Sequence, residues 1–226
     1  MEAYRFVYRA GQGEITEKKS RFIATVQPVT TPEEALAFVA EKKKEYWDAR
    51  HNCYAYVTGK NQEQMRCSDD GEPSGTAGRP ILDVLLREQI HDAVIVVTRY
   101  FGGVLLGTGG LVRAYQKAAS EGLAAAEILS WQEGRPLAVE TDYQGYGKVE
   151  YLFRELGVYV EDTDFGQQVT IRAMVPGELI RKTEKEIGEK TGGKARLSWD
   201  DDIFYALDEK RGIILKKRGI ILKKST

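Results

Sequence analysis

The segment DAVIVVTRY, at residues 92–100, is apolar and β-branched at almost every position. A strand that buries one face alternates apolar and polar residues, whereas a continuous apolar run indicates burial on both faces. We therefore predict a central, buried strand here. The rest of the fold has to supply cover for this strand.

The strand leads into a glycine-rich junction, RYFGGVLLGTGGLVRAY, at 99–115. Alanine-rich residues with apolar positions at helical spacing follow, so a helix is predicted after the glycines. Neither standard nucleotide-binding pattern fits the junction. Thr108-Gly109 stands where a P-loop requires lysine and a hydroxyl residue, and Val112 occupies the third glycine position of the dinucleotide fingerprint.

The same junction still favours binding of an anion. The first N–H groups of a helix point outward and attract negative charge, and Thr108 or a neighbouring glycine is expected to cap this one. Two arginines lie near the helix start, and two aromatic rings are available to stack on bases. The candidate anion-binding or nucleic-acid-binding residues are Arg99, Tyr100, Phe101, Gly102, Gly103, Thr108, Gly109, Gly110 and Arg113. The alternative is a structural junction, with a tight turn at Gly102-Gly103 and aromatics that close the core.

A second candidate site is the acidic segment SDDGEPSGTAG, at 68–78. Carboxylates before a helix are ordinary stabilisers, but they also serve as general bases or as ligands of divalent metals. A hairpin register can bring a histidine beside them, and the candidate acidic cluster is His51, Asp69, Asp70 and Glu72. The spacing matches no standard zinc motif, and GxSxG, HExxH and CxxC are absent. We therefore assign no metal, no cofactor and no catalytic residue.

Other elements of the first half are predicted from local signals. A strand is expected at 4–10, one more within 14–29, and a helix capped by Thr31 with Pro32 in its first position. Residues 52–70 predict a hairpin with a polar turn at 59–62, which places Cys53 and Cys67 on adjacent strands. We expect His91 in a loop without an evident partner.

The second half begins after SWQEGRP, at 130–136, where Gly and Pro separate two patterned regions. The order strand, helix, hairpin, helix, strand follows, with helix stops at Gly157 and Gly192-Gly193 and a helix start at Pro176. This βαββαβ order is typical of ferredoxin-like domains, which host many functions. After them the sequence RGIILKK occurs twice, at 211–217 and 218–224. A partly ordered extension, an apolar and basic surface-seeking element, and a duplication without function all remain open for this tail.

The composition limits the function classes. The formal net charge of -1 disfavours a globally basic nucleic-acid binder, although a local basic patch remains open. No apolar run approaches the roughly 18 to 20 residues that span a bilayer, and two cysteines are too few for a disulfide framework. We expect a cytoplasmic protein with no membrane partner.

The segments SDDGEPSGTAGRPIL and VVTRYFGGVLLGTGGLVRAY together resemble the IMPACT family, in its bacterial YigZ/YvyE-like branch. The resemblance covers both halves of the chain to about residue 208 and excludes the tail. It implies an α+β protein. Its N-terminal part, at 1–132, would be a two-layer α/β domain similar to domain IV of elongation factor G, of the ribosomal protein domain 2-like type. Its C-terminal part, at 135–208, would be a ferredoxin-like domain similar to domain V of that factor, and 209–226 would be a basic tail.

The resemblance also implies a function. Eukaryotic members act on translation by restraining a starvation-response kinase pathway, largely through protein contacts, and they carry an accessory domain that this chain lacks. We therefore expect a translation-associated regulator that binds RNA or the ribosome without catalysis. Two alternatives remain open at this point. One is a hydrolase or transferase that uses the acidic cluster beside the glycine-rich cleft, and the other is a regulator that binds a protein partner in translation control.

Overall fold

The computed structural model describes residues 4–59 and 62–208 and the backbone of 213–218. The fold is mixed α+β, and the chain forms two compact units, Tyr4–Ser130 and the segment from Trp131 onward. In chain order the first unit contains β1 (Tyr4–Arg9), β2 (Gly11–Glu17), β3 (Ser20–Pro28), α1 (Pro32–Glu45), β4 (His51–Thr58), β5 (Gln64–Ser68), α2 (Gly78–Arg87), β6 (Ile90–His91), β7 (Ala93–Tyr100) and α3 (Thr108–Ala125). The strand β8 (Glu127–Thr141) continues from this unit into the second.

The sheet of the first unit has the order β2-β3-β7-β4-β5, and all neighbouring strands are antiparallel. The predicted central, buried strand is confirmed as β7. Ile95 and Val97 pack on the side of α2 and α3, whereas Val94 and Val96 pack on the side of α1. The expected two-layer arrangement is therefore wrong, because both faces of β7 are apolar and α1 supplies a third layer.

Two further expectations for the first unit need correction. The segment 14–29 does not hold one strand but contributes to the antiparallel hairpin β2–β3, whose turn is Lys18-Lys19 with φ values of 45° and 67°. Such turns usually contain Asn or Gly, so two lysines gave no turn signal. His91 does not lie in a loop without a partner. It lies in β6, pairs with β1, and its Nδ1 is 3.2 Å from the carbonyl oxygen of Gly59.

The predicted hairpin of β4 and β5 is confirmed. Ala55 lies opposite Cys67, so Cys53 and Cys67 lie on adjacent strands as free thiols. Two residues of the predicted turn, at 60–61, lie outside the described residues.

The predicted cap of α1 is also confirmed. The Oγ1 of Thr31 accepts a hydrogen bond from the backbone N–H of Glu34 at 3.2 Å, and Pro32 is the first helical residue. We expect Thr31→Ala to lower the free energy of unfolding by about 1 kcal/mol, because one N–H at the helix start loses its acceptor. Urea unfolding measures the change. Thr31→Ser keeps the hydroxyl and serves as the control, and an equal loss in both variants would contradict the capping role.

The second unit continues β8 with α4 (Tyr143–Leu156), β9 (Tyr159–Phe165), β10 (Val169–Pro176), α5 (Ile180–Thr191), β11 (Arg196–Trp199), β12 (Ile203–Asp208) and β13 (Ile213–Arg218). From β8 to β11 this is the predicted βαββαβ order. These four strands are arranged β11-β8-β10-β9, all antiparallel, and the two helices bury Val149, Leu152 and Ile187 in the core of this unit. Gly157 and Gly192 end the helices in the left-handed conformation, as predicted.

Three features of the second unit differ from the sequence expectations. The segment 130–136, where the two units divide, lies in the middle of β8 and so does not separate two elements. Pro176 does not start a helix. It ends β10, a short 3₁₀ turn (Gly177–Leu179) follows, and α5 begins at Ile180. Within the tail, β13 pairs with β12, which the sequence did not predict, and the other residues of 209–226 lie outside the described part. No helix in the described ranges is long and apolar enough to cross a bilayer.

Candidate anion-binding site

The junction from β7 to α3 leaves the start of a long helix without a side-chain cap. The N-cap residue is Gly107, with φ of 73°, so the expectation that Thr108 or a neighbouring glycine caps the helix is met by the glycine. Thr108 is the first helical residue, and the first turn contains no acidic residue. The N–H groups of Thr108, Gly109 and Gly110 therefore meet no carboxylate or hydroxyl from the helix itself.

Gly102 brings the β2–β3 hairpin against this junction. Its N–H donates a hydrogen bond to the Oγ of Ser20 at 3.2 Å. A Cβ on Gly102 would lie 2.0 Å from the carbonyl carbon of Lys19, so only glycine allows this approach of the two backbones. The contact fixes the hairpin turn, and with it Lys18, beside α3. Gly103 takes a φ of 83° and turns the chain away.

A cavity of about 250 Å³ lies between the hairpin turn and the start of α3. Lys18, Arg113 and Lys117 line it, and Glu17 is the one acidic residue among its lining residues. Within the described part of the chain, none of the three cations has a carboxylate oxygen at ion-pair distance. We call this cavity, with its lining residues, the cationic cavity.

The guanidinium of Arg113 lies back over the first turn of α3. Its Nη1 is 3.6 Å from the position that a Cβ on Gly109 would take. Cations stabilise the C-terminal end of a helix and are unfavourable near the N-terminal end. Three cations without a carboxylate partner among the described residues, along the β2–β3 turn and the first half of α3, therefore create a local positive field that an anion would neutralise. Arg113 was predicted from the sequence but Lys117 was not, although four-residue spacing puts both on one side of α3. No sequence signal marks Lys18.

Arg99 lies near the end of β7, as expected, but it is buried and paired and so is not available to an anion. The residue is 6% exposed, and its Nη1 donates a hydrogen bond to the Oε1 of Glu72 at 2.6 Å. Glu72 is 8% exposed, and the hydroxyl of Tyr115 donates to the same Oε1 at 2.7 Å. Arg99 is not among the residues that line the cationic cavity. Its charge is neutralised inside the unit, and the two candidate sites, treated as separate in the sequence, are joined by this ion pair.

The aromatic candidates differ in their availability. Phe101 is 48% exposed, and its ring centre lies 5.6 Å from the guanidinium carbon of Arg99. Phe22 lies on the buried side of the same guanidinium, at 5.4 Å. The hydroxyl of Tyr100 donates to Asp48 at 2.8 Å. Phe101 therefore presents a ring that Arg99 holds in place, whereas the polar end of Tyr100 is engaged within the protein.

Asp69 organises the acidic segment and caps α2 from a distance. Its Oδ1 accepts the backbone N–H groups of Ala77 and Gly78, at 3.0 and 2.8 Å, and its Oδ2 accepts that of Gly75 at 2.9 Å. Burial alone would raise the pKa of Asp69, but these three N–H groups outweigh it and hold the pKa below the ordinary value. The carboxylate is a structural cap in this arrangement.

Asp70 and His51 are neighbours, as the predicted hairpin allowed. The Nδ1 of His51 lies 2.9 Å from the carbonyl oxygen of Asp70. Because a carbonyl oxygen can only accept, Nδ1 carries the hydrogen and donates the hydrogen bond. The Asp70 carboxylate accepts the N–H of Asn52 at 2.7 Å and also binds the ammonium of Lys43. Among the described residues, no group of three or more His, Cys, Asp or Glu side chains is placed to hold a metal ion.

Cys53 lies beside this segment but is a poor nucleophile. Its S–H donates to the carbonyl oxygen of Asp69 at 2.9 Å, and the Tyr115 hydroxyl lies 3.4 Å from the sulfur. Burial raises the pKa of the Cys53 thiol well above its ordinary value, and burial likewise raises that of the Tyr115 hydroxyl. The thiolate needed for attack is therefore not populated near neutral pH.

Comparison with known families covers most of the chain. The model of the Impact N-terminal domain matches residues 18–123, and that of a domain of unknown function, DUF1949, matches residues 139–194. The chain is 40% identical to IMPACT family member YvyE of Bacillus subtilis over 195 residues, which are 86% of this chain and 90% of that protein. It is 35% identical to IMPACT family member YigZ of Escherichia coli, over 80% of this chain and 89% of that protein.

Two further similarities concern a eukaryotic protein and a solved structure. Protein IMPACT of Bos taurus is 36% identical over 98 residues, which are 41% of this chain and 30% of that protein. A solved structure described as "Crystal structure of an hypothetical protein" is 31% identical, with a TM-score of 0.56, and the match covers 87% of this chain and 97% of that one.

Proposed function

The chain belongs to the IMPACT family, and from this premise we propose that it is a translation-associated regulatory protein that binds RNA, free or in the ribosome, without catalysis. The cationic cavity is the observation that carries the proposal. Lys18, Arg113 and Lys117 are unpaired within the described residues and line one cavity beside the first half of α3, where phosphate groups would bind favourably. Phe101 offers an exposed ring for stacking on a base.

The fold supports the proposal by analogy. The strand order β11-β8-β10-β9 is consistent with the ferredoxin-like domain that the resemblance to domain V of elongation factor G implies. We propose 1–132, with its likeness to domain IV, and 135–208 as the two domains, 209–226 as a basic tail and the cytoplasm as the location. Fold likeness alone does not establish a function.

Two other functions have different support. A hydrolase or transferase built on His51, Asp69, Asp70 and Glu72 is less well supported, because each of these side chains is engaged in hydrogen bonds that the fold itself uses. A regulator that binds a protein partner in translation control is favoured by the exposure of Val104 and Leu105, which are 41% and 83% exposed.

The central test is RNA binding at several salt concentrations. We expect a single-stranded RNA oligonucleotide to bind the full chain and the double variant Arg113→Ala/Lys117→Ala to bind about 10 to 100 times more weakly. Each lost phosphate contact on a single strand should lower the salt slope by about 0.7, so the double variant should lose about 1.4. Fluorescence anisotropy measures both quantities.

The chain offers a matched control for this variant. Arg181 and Lys185 have the same residue types and the same spacing, on the exposed side of α5. Arg181→Ala/Lys185→Ala should bind RNA like the wild type. If the wild type binds no RNA and stays in the free fraction during ribosome sedimentation at low salt, the RNA-binding proposal is wrong. Co-sedimentation that survives nuclease treatment of the ribosomes would favour the protein-binding alternative.

A further inference from the structure

The cationic cavity has a charge that exceeds what one bridging phosphate needs. Lys18, Arg113 and Lys117 contribute three positive charges and Glu17 one negative charge, which leaves a formal net charge of about two positive units at neutral pH. The positive end of α3 adds to this charge, since its first turn has no acidic residue. A bridging phosphodiester carries one negative charge, so it would leave about half of the cavity charge unbalanced.

From this charge and from the size of the cavity, we propose that the site binds a terminal phosphomonoester: the end phosphate of an RNA or the phosphate of a free nucleotide. A phosphomonoester carries about 1.5 to 2 negative charges at pH 7. It therefore matches the cavity where a bridging phosphate does not. If the ligand is the end of an RNA, this inference rests on the proposed function. If the ligand is a free nucleotide, it does not.

The dimensions of the cavity also favour an end over a continuous chain. A volume of about 250 Å³ is below the roughly 300 to 1,000 Å³ of drug-sized ligand sites. A terminal phosphate needs less room than an internal nucleotide, which has a neighbour on each side. The hairpin turn and α3 both contribute to the lining, through Lys18 and Lys117.

The cavity is lined by apolar side chains as well as by charged ones. Ile15, Leu106 and Ala114 are apolar, and all three are buried. The guanidinium of Arg113 is planar and can donate two parallel hydrogen bonds to phosphate oxygens, whereas the two lysines act as point charges. A phosphate bound by the cations would leave the apolar residues available to an attached sugar or base. This arrangement suits a nucleotide better than inorganic phosphate.

The test compares RNA oligonucleotides of one sequence that differ only at their ends. Unlabelled competitors with a 5′-hydroxyl, a 5′-phosphate or a 3′-phosphate, and a nucleoside monophosphate against its nucleoside, are titrated against a labelled RNA or measured by calorimetry with the full chain. We expect a phosphorylated end to bind at least about 10 times more tightly than the hydroxyl end. A factor of ten corresponds to about 1.4 kcal/mol.

Variants show whether any preference belongs to this cavity. Arg113→Ala/Lys117→Ala should abolish the preference for the phosphorylated end, and Lys18→Gln, on the hairpin, should reduce it. The matched double variant Arg181→Ala/Lys185→Ala should keep it. Circular dichroism confirms that each variant is folded.

The outcomes separate this inference from the proposed function. Equal affinity for phosphorylated and hydroxyl ends overturns the inference and leaves RNA binding intact. Binding of the nucleoside monophosphate without any RNA binding supports the inference and overturns the proposed function. A preference that persists in Arg113→Ala/Lys117→Ala overturns the assignment to this cavity, and failure to bind every probe overturns both proposals.

Discussion

Glu72→Ala is expected to lower the free energy of unfolding by about 3 to 5 kcal/mol, because removing one partner of a buried ion pair leaves the other charge unpaired. Glu72 and Arg99 are both buried, and the pair also satisfies the hydroxyl of Tyr115. After the substitution, Arg99 would keep its Nη2 contact to the Oγ of Ser20 at 3.4 Å but lose its counter-charge. Urea unfolding followed by circular dichroism measures the loss.

An exposed ion pair of similar length provides the control. Arg21 binds both carboxylate oxygens of Glu14 at 2.7 Å, on the surface of the same unit. Glu14→Ala should cost no more than about 1 kcal/mol, because exposed ion pairs gain little over water. The double variant Glu72→Met/Arg99→Met should recover part of the stability lost by Glu72→Ala, since apolar side chains of similar volume often replace a buried pair well, although the Tyr115 hydroxyl still loses its acceptor. Similar losses in Glu72→Ala and Glu14→Ala would contradict the prediction that the buried ion pair contributes more to the free energy of unfolding than the exposed one.

The Glu72–Arg99 pair is also connected to the candidate site. The guanidinium of Arg99 contacts the rings of both Phe22 and Phe101, so the Glu72–Arg99 pair is linked to an exposed aromatic residue. The pair also joins the acidic segment to the strand β7, whose end leads into α3. The buried network therefore connects the acidic segment to the junction, while the cations of the cationic cavity have no carboxylate partner among the described residues.

Asp69→Ala should lower the free energy of unfolding by about 3 kcal/mol, because three backbone N–H groups lose a charged acceptor. A hydrogen bond to a charged group contributes about 1.5 to 3 kcal/mol. The three contributions are not additive and the carboxylate is partly exposed, so the expected total is smaller than their sum. Ala77 and Gly78 are buried, so their N–H groups cannot turn to water freely. Asp69→Asn keeps one acceptor oxygen and should lose less. Asp83→Ala removes an exposed carboxylate of α2 that pairs with Arg79, and it should cost less than about 0.5 kcal/mol.

Asp69 also predicts a pH dependence with a definite sign. Its pKa is lowered in the folded chain, whereas an unfolded Asp titrates near about 3.9. The stabilisation is therefore present above that pH and is lost as the pH falls through the folded-state value. Between about pH 5 and pH 3 the wild type should lose more stability than Asp69→Asn, which has no carboxylate to protonate at this position. Parallel curves for the two proteins would contradict the capping role.

Local sequence signals predicted those elements whose causes lie within a few residues. Thr31 and Pro32 start α1, and Gly157 ends α4, because caps depend on the backbone of adjacent residues. The strand β7 was predictable because its continuous apolar run makes both of its faces apolar, which indicates burial on both sides. The same run predicted burial on both faces of the strand, but the third layer itself was not predicted, because the helix that covers the second face is decided by packing.

The errors fell where local signals were weak or were overridden. Lys18-Lys19 forms a hairpin turn without the residues that usually mark one. Pro136 lies within β8, although proline often interrupts strands. On one side of β8, β12 pairs with residues 132–134 and β11 with residues 137–140, so the missing N–H of Pro136 falls between the two partners. The sheet tolerates proline at this position for that reason.

The sequence by itself determined the family resemblance, the central strand, the helix caps and the βαββαβ order, since residues close along the chain carry these signals. Only the tertiary structure decided which charges are available to a ligand. Arg99 meets Glu72 across 27 positions and is neutralised, whereas Lys18 meets Arg113 and Lys117 at one cavity without a carboxylate partner among the described residues. An ion pair depends on the distance between two side chains in space, and spacing along the chain does not fix that distance for residues on different elements. The same residue type, arginine, therefore stabilises the core at Arg99 and faces the cavity at Arg113.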